Sequence, residues 1–141
     1  MIGYFDAKDG SPKVVLEIEG TNEGVKKPII ALFDTGHNGS LSLTVVQLIE
    51  IGAKLSSIGK IKYADGNSKP CLYFSVKVTI DGIQKDVEAS LIENPEEEAI
   101  AGLELFSPYI SFIDFGKKLD FFLCFLLYLL GNKSLFIMKF I

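Results

Sequence analysis

The sequence predicts an all-β fold, β-rich with two short helices. Three observations carry that prediction. Short apolar, β-branched runs recur along the first 120 or so residues. Three Asp-Gly pairs, Asp9-Gly10, Asp65-Gly66 and Asp81-Gly82, punctuate those runs. Only two segments carry the start and stop signals of a helix. Short strands joined by tight turns favour a small barrel or sandwich over a helical or α/β architecture.

Taken in order, Val14-Val15-Leu16-Glu17-Ile18 is apolar and β-branched, bounded by Gly10-Ser11-Pro12 and Gly20. Pro28 to Phe33 is a continuous apolar run, as expected of a buried strand. Thr44-Val45-Val46-Gln47 has capping-box spacing and leads into Leu48, Ile49 and Ile51, with Gly52 as a stop, so a short helix is predicted. Leu72 to Ile80 alternates Phe74, Val76, Val78 and Ile80 with Ser75, Lys77 and Thr79, the period of a half-buried strand. Val87 to Ile92 and Ala99-Ile100-Ala101 read as further short strands. A second short helix is expected after Gly102, on Leu103, Leu105 and Phe106, ending near Pro108. Each Asp-Gly pair tolerates the positive φ that a tight hairpin needs.

At 141 residues the chain is expected to hold one domain. A net charge of -4 and a pI near 5.0 argue against a nucleic-acid surface, and no Lys/Arg cluster stands out. Cys71 and Cys124 lie far apart, lack metal-ligand spacing and read as ordinary thiols. His37 is the only histidine, so a histidine metal site or a Ser-His-Asp triad has little to build on. Neither a metal nor a cofactor is expected. Asp6, Lys8 and Asp9 interrupt any secretory h-region, which predicts a cytoplasmic protein.

The tail is different. Phe121 to Leu130 has ten residues without a charge, and GNKS and LFIMKFI follow. A membrane span needs about 20 apolar residues. Extending this one to Ile141 would force Asn132, Lys133 and Lys139 into the apolar layer. Three readings stay open for residues 119–141: an interface or core element, a membrane anchor, or a segment not selected to fold, such as an out-of-frame end.

The chemistry-bearing feature is Asp34-Thr35-Gly36, set in ALFDTGHNG. Leu32 and Phe33 deliver a carboxylate from a strand into a tight turn. The motif occurs once, with no second Asp-Thr-Gly or Asp-Ser-Gly, which excludes a chain built from two duplicated lobes. Two other pieces accompany it: the hairpin candidate Tyr63-Ala64-Asp65-Gly66-Asn67-Ser68, and AIAGLELF, an apolar strand ending in Gly102 and followed by a helix.

With ALFDTG, YADGNS and AIAGLELF in this order, the chain resembles the retropepsin-like aspartic proteases of clan AA, most closely their small bacterial and archaeal single-domain members. The resemblance covers residues 1–118, ending with Ile113-Asp114-Phe115-Gly116, and leaves out 119–141. It implies a closed acid-protease barrel, one lobe per chain, paired as a homodimer with one Asp34 from each protomer at the dyad. The two carboxylates would share a proton, because like charges about 3 Å apart cannot both ionise. One would act as general base on a water while its partner donates to the scissile carbonyl, making the protein an aspartic endopeptidase.

By the same resemblance, Thr35 would bond across the dyad and Gly36 would let the backbone approach substrate. Asn38 would support the carboxylate loop, and Ile100, Ala101 and Gly102 would pass beneath it. Tyr63, Ala64, Asp65, Gly66 and Asn67 would form a flap over an extended peptide substrate. His37 and Asn38 depart from the family pattern. His37 reads either as a loop residue at the cleft rim or as a group that biases the dyad or selects acidic side chains. Ala101 is small for its place, which predicts looser packing under Asp34. Asp65 reads as a turn former, Glu96-Glu97-Glu98 as a solvated loop, and Asp114 as a surface residue. Two alternatives stand beside the endopeptidase: a non-catalytic dimerisation or peptide-binding module of the same fold, and a tail-anchored β-domain.

Overall fold

In a computed structural model of the chain, residues 3–21, 25–63, 65–107, 109–112 and 122–125 are described. Ten strands, one α-helix and one 3₁₀ turn occur among them: β1 (Gly3–Phe5), β2 (Pro12–Glu19), β3 (Lys26–Phe33), β4 (Leu41–Thr44), α1 (Val45–Glu50), β5 (Lys54–Lys62), β6 (Ser68–Ile80), β7 (Ile83–Ile92), β8 (Ala99–Ala101), the 3₁₀ turn (Leu103–Phe106), β9 (Tyr109–Phe112) and β10 (Phe122–Phe125).

The eight-stranded sheet runs β1-β2-β3-β8-β4-β7-β6-β5, and a further β2–β6 pairing closes its six central strands into a barrel. This is the all-β, closed-barrel architecture that the sequence predicts. Closure follows from register. Val14, Leu16 and Ile18 of β2 stand opposite Ala31, Ile29 and Lys27 of β3, and Ile18 also faces Val78 of β6. Alternate positions point inward, so Val14, Leu16, Ile18, Ala31, Phe33, Val76, Val78 and Ile80 share one buried core with Leu41, Leu43, Leu105 and Phe106. The Phe33 and Phe106 rings meet edge to face with centroids 5.0 Å apart, a contact worth about 1 kcal/mol beyond its buried area.

The turns use the residues that the sequence singles out. Asp81 and Gly82 both have positive φ (50° and 80°), as a two-residue type I′ turn requires, and Ile80 pairs with Ile83 across it. Gly10 and Gly66 supply positive φ at the β1–β2 and β5–β6 turns. Helix α1 opens on a complete capping box: the Gln47 amide donates to Thr44 Oγ1, and the Thr44 amide donates to Gln47 Oε1. It closes on a Schellman motif, with Gly52 at φ +63° donating to Ile49 and Ala53 donating to Leu48. The second predicted helix is a single 3₁₀ turn on Leu103–Phe106.

Strands β1, β4 and β5 have no counterpart in the sequence reading. β5 is the largest of these. Its nine residues are almost all exposed, because it overhangs the barrel and pairs only with β6, leaving no core face to imprint an apolar alternation. β9 and β10 pair antiparallel with Phe112 opposite Phe122, so part of the 119–141 segment is strand. The remainder of that segment, the Ile113–Gly116 stretch, Pro108 and the flap residue Ala64 lie outside the described residues. Among the described residues no helix is long and apolar enough to cross a membrane.

Candidate active site

One topological fact builds the site. β3 and β4 are consecutive in sequence, yet β8 lies between them in the sheet. β3 runs parallel to β8 and β4 antiparallel to it. The loop from Asp34 to Ser40 must therefore cross the end of β8. Three backbone hydrogen bonds sew it there: Asp34 N–H to Ala101 O at 3.1 Å, Gly102 N–H to Ser40 O at 3.0 Å, and Leu103 N–H to His37 O at 3.0 Å.

The crossing explains Gly102. A Cβ at this position would lie closer than 3.0 Å to the carbonyl oxygens of Gly39 and His37, and 2.5 Å from His37 Cδ2. No side chain fits there without moving backbone. Ala101 is fully buried and receives the Asp34 amide, and Ile100 faces the cleft.

Asp34 is half-buried at the end of β3, with Phe33 anchored in the core behind it. The Gly36 amide donates to Asp34 Oδ1 at 2.8 Å, and the His37 amide donates to the Asp34 carbonyl at 3.2 Å. This is an Asx turn, in which the carboxylate holds its own loop. Asp34 Oδ2 makes no hydrogen bond among the described residues. Thr35, Gly36 and Asn38 are exposed. Asn38 lines the cleft and makes no side-chain hydrogen bond to the carboxylate loop among the described residues.

Two hollows, of about 570 and 620 Å³, border the β5–β6 hairpin, and His37, Ile61 and Ser90 line both. The first also has Tyr63, Leu72, Ile92 and Ile100 in its wall. The second reaches Gly36, Asn38 and the Lys60–Lys62 arm of the hairpin. At the hairpin tip Asp65 accepts the Asn67 amide on Oδ1 and the Asn67 side chain on Oδ2, which is turn formation. Those bonds hold the Asp65 carboxyl below its usual range. Tyr63 and Asn67 close the turn by a backbone bond of 2.8 Å, and Lys69 stands 5.7 Å from the Tyr63 ring centroid. Glu98 pairs with Lys13, while Glu96 and Glu97 are exposed.

The sequence reading passes over two residues, Ser42 and Ser90. They are cross-strand partners of β4 and β7, buried in the cleft floor, with Oγ atoms 2.6 Å apart. Ser42 Oγ also lies 3.2 Å from His37 Nε2. The alternation in Leu41-Ser42-Leu43 carries the signal: its leucines enter the core and its serine faces the other way. Burial pushes the His37 pKa below its ordinary 6.5, against the opposing pull of the Asp34 carboxylate.

No protein-family model and no curated protein matches the chain. Solved structures do. A retropepsin-like aspartic protease from Rickettsia conorii superposes with a TM-score of 0.60 at 19% identity, covering 87% of this chain and 88% of the other. The EIAV protease, in complex with an inhibitor, superposes with a TM-score of 0.51 at 15% identity, covering 73% of this chain and 91% of the other. The chain has the retropepsin-like fold.

Proposed function

We propose that this chain is an aspartic endopeptidase whose active unit is a homodimer. The observation that carries the reading is Asp34. It ends a core-anchored strand, its loop is sewn to the Ala101–Leu103 stretch by three backbone bonds, and one of its carboxylate oxygens has no hydrogen-bond partner among the described residues. A carboxylate held by its own turn, whose neighbours Gly36, His37 and Asn38 line a hollow, is preorganised for acid–base work. One Asp34 alone supplies a base and no acid. A second copy brings the other carboxylate to the dyad, with Thr35 beside it.

In this mechanism the pair carries one proton. The ionised Asp34 takes a proton from the water as the water oxygen attacks the scissile carbonyl carbon. The protonated partner gives its proton to the carbonyl oxygen. Collapse of the tetrahedral intermediate expels the amine, which takes the proton from the first Asp34, while one hydroxyl of the intermediate returns its proton to the partner as the carbonyl re-forms, so the pair again carries one proton. An extended peptide lies in the hollows under the β5–β6 hairpin, which forms the roof with Tyr63, Asp65, Gly66 and Asn67.

The test is peptide hydrolysis and sedimentation of the parent and Asp34→Asn. The parent is expected to sediment as a dimer and cleave, and the variant to keep the dimer while losing about 10²- to 10⁴-fold in rate. An asparagine variant as active as the parent, or an active chain that is strictly monomeric, would sink the proposal. Peptide binding without cleavage by the parent would leave the non-catalytic binding module.

A further inference from the structure

The His37 side chain folds back under the loop that carries Asp34, into the space that two glycines leave. A Cβ at Gly39 would stand 3.0 Å from His37 Nε2 and 3.4 Å from Cε1, and one at Gly102 would stand 2.5 Å from Cδ2. The three atoms nearest to that Gly39 position all belong to the His37 ring. On its far side the ring meets Ser42, whose Oγ lies 3.2 Å from Nε2 and 2.6 Å from Ser90 Oγ. Ser42 and Ser90 are each 4% exposed, so this hold is set in the sheet and not in a mobile surface group.

The backbone of the same residue is tied to the carboxylate and to the 3₁₀ turn. The His37 amide donates to the Asp34 carbonyl at 3.2 Å, and the His37 carbonyl accepts the Leu103 amide at 3.0 Å. Gly36, directly before it, donates its amide to Asp34 Oδ1 at 2.8 Å. The loop is therefore pinned at His37 while Gly36 and Gly39, on either side, have the conformational freedom of glycine. A reactive group is held to within about 0.5 Å only when its neighbours are locked by packing and hydrogen bonds. Here the imidazole is the group that packs.

We propose that His37 is a positioning residue: its imidazole is a wedge between Gly39, Gly102 and Ser42 that sets the Gly36 amide and, through it, the Asp34 carboxylate. This rests on the reading of Asp34 as the acting carboxylate. The ring acts through the loop and makes no contact with substrate. Without it the loop relaxes into the vacated space and the carboxylate moves with the Gly36 amide. The cost then falls on the chemical step, which depends on where the carboxylate stands, and not on peptide binding along the cleft.

Amide hydrogen exchange by NMR and peptide hydrolysis, both on the full chain, test this. In His37→Ala the Gly36 and Leu103 amides should exchange about tenfold faster while the Val78 amide, in the barrel core, keeps its rate. The same variant should lose about 10- to 100-fold in kcat with KM within about threefold of the parent. Ser42→Ala keeps the ring and removes one hold, so both readouts should move the same way by less, and the test stands even where His37→Ala does not fold. Gly39→Ala should slow the parent, because its methyl meets the ring, yet restore part of the rate in His37→Ala, where it fills the vacated space. Equal acceleration of all three amides would make His37 a general stability residue and overturn the proposal. So would unchanged Gly36 exchange, an unchanged kcat in an active His37→Ala, or a Gly39→Ala penalty that is the same in both backgrounds. A parent that cleaves no peptide, with the exchange pattern as expected, would sink the peptidase reading alone.

Discussion

The Leu103 amide donates to the His37 carbonyl oxygen at 3.0 Å, just past Gly102, which follows β8. That bond ties the 3₁₀ turn to the loop that carries Asp34. Phe106, on the same turn, packs edge to face on Phe33, the residue before Asp34. The carboxylate is thus braced from both sides of its loop, by backbone on one and by the core on the other.

Gly102→Ala is expected to destabilise the fold by about 3 kcal/mol, the upper end for overpacking, because the added carbon meets the backbone carbonyls of Gly39 and His37 as well as the His37 ring. Gly66→Ala is the control. Its φ is +87° with open space around it, so only the left-handed backbone cost of about 1–2 kcal/mol applies. Urea denaturation of the two variants ranks them, and an unaffected Gly102→Ala would refute the tight crossing.

Thr44→Ala should cost about 1 kcal/mol by leaving the Gln47 amide without its cap. Gln47→Ala removes the reciprocal bond to the Thr44 amide and should cost a comparable amount, since both bonds are part-buried. A double variant no worse than Thr44→Ala alone would show the two bonds acting as one unit.

Lys13 is 5% exposed and its charge is met by Glu98, which is 46% exposed. Removing the partner strands a buried ammonium, so Glu98→Ala should cost about 1–3 kcal/mol, discounted from the fully buried case because water reaches Glu98. Lys13→Met removes the charge with its desolvation penalty and should be close to neutral. Thermal melts of both variants check the asymmetry; equal losses would contradict it.

The depressed pKa of His37 has a definite sign for stability. Above pH 6.5 the ring is neutral both folded and unfolded, and the folded state bears no penalty. As pH falls below 6.5 the unfolded chain takes the proton first, so stability declines until the folded ring is also protonated. His37→Gln should flatten this part of the profile below pH 6.5, measured by chemical denaturation at each pH. A parent profile that rises on acidification through this window would show the ring to be stabilised as a cation.

Much of the fold can be read along the chain because its signals are local. Asp81-Gly82, the Thr44–Gln47 box and the Gly52 stop each act within a few residues, so composition at fixed spacing announces them. Asp34-Thr35-Gly36 is local too, since the carboxylate closes its own turn through Gly36. β5 leaves no such trace, because its pairing is entirely with β6 and neither of its faces is dry. Ser42 and Ser90 are 48 positions apart and meet only through the parallel pairing of β4 and β7.

By itself the sequence determined the strand-rich class, the hairpin tips, the capped helix and the single Asp-Thr-Gly turn, because those depend on backbone conformation and on hydrogen bonds between near neighbours. Tertiary structure decided what stands around that turn. Inserting β8 between β3 and β4 forces the Asp34 loop over Gly102, and the β4–β7 register carries two buried serines to His37. Both outcomes are set by which strands lie side by side, a property of the closed sheet rather than of any one segment.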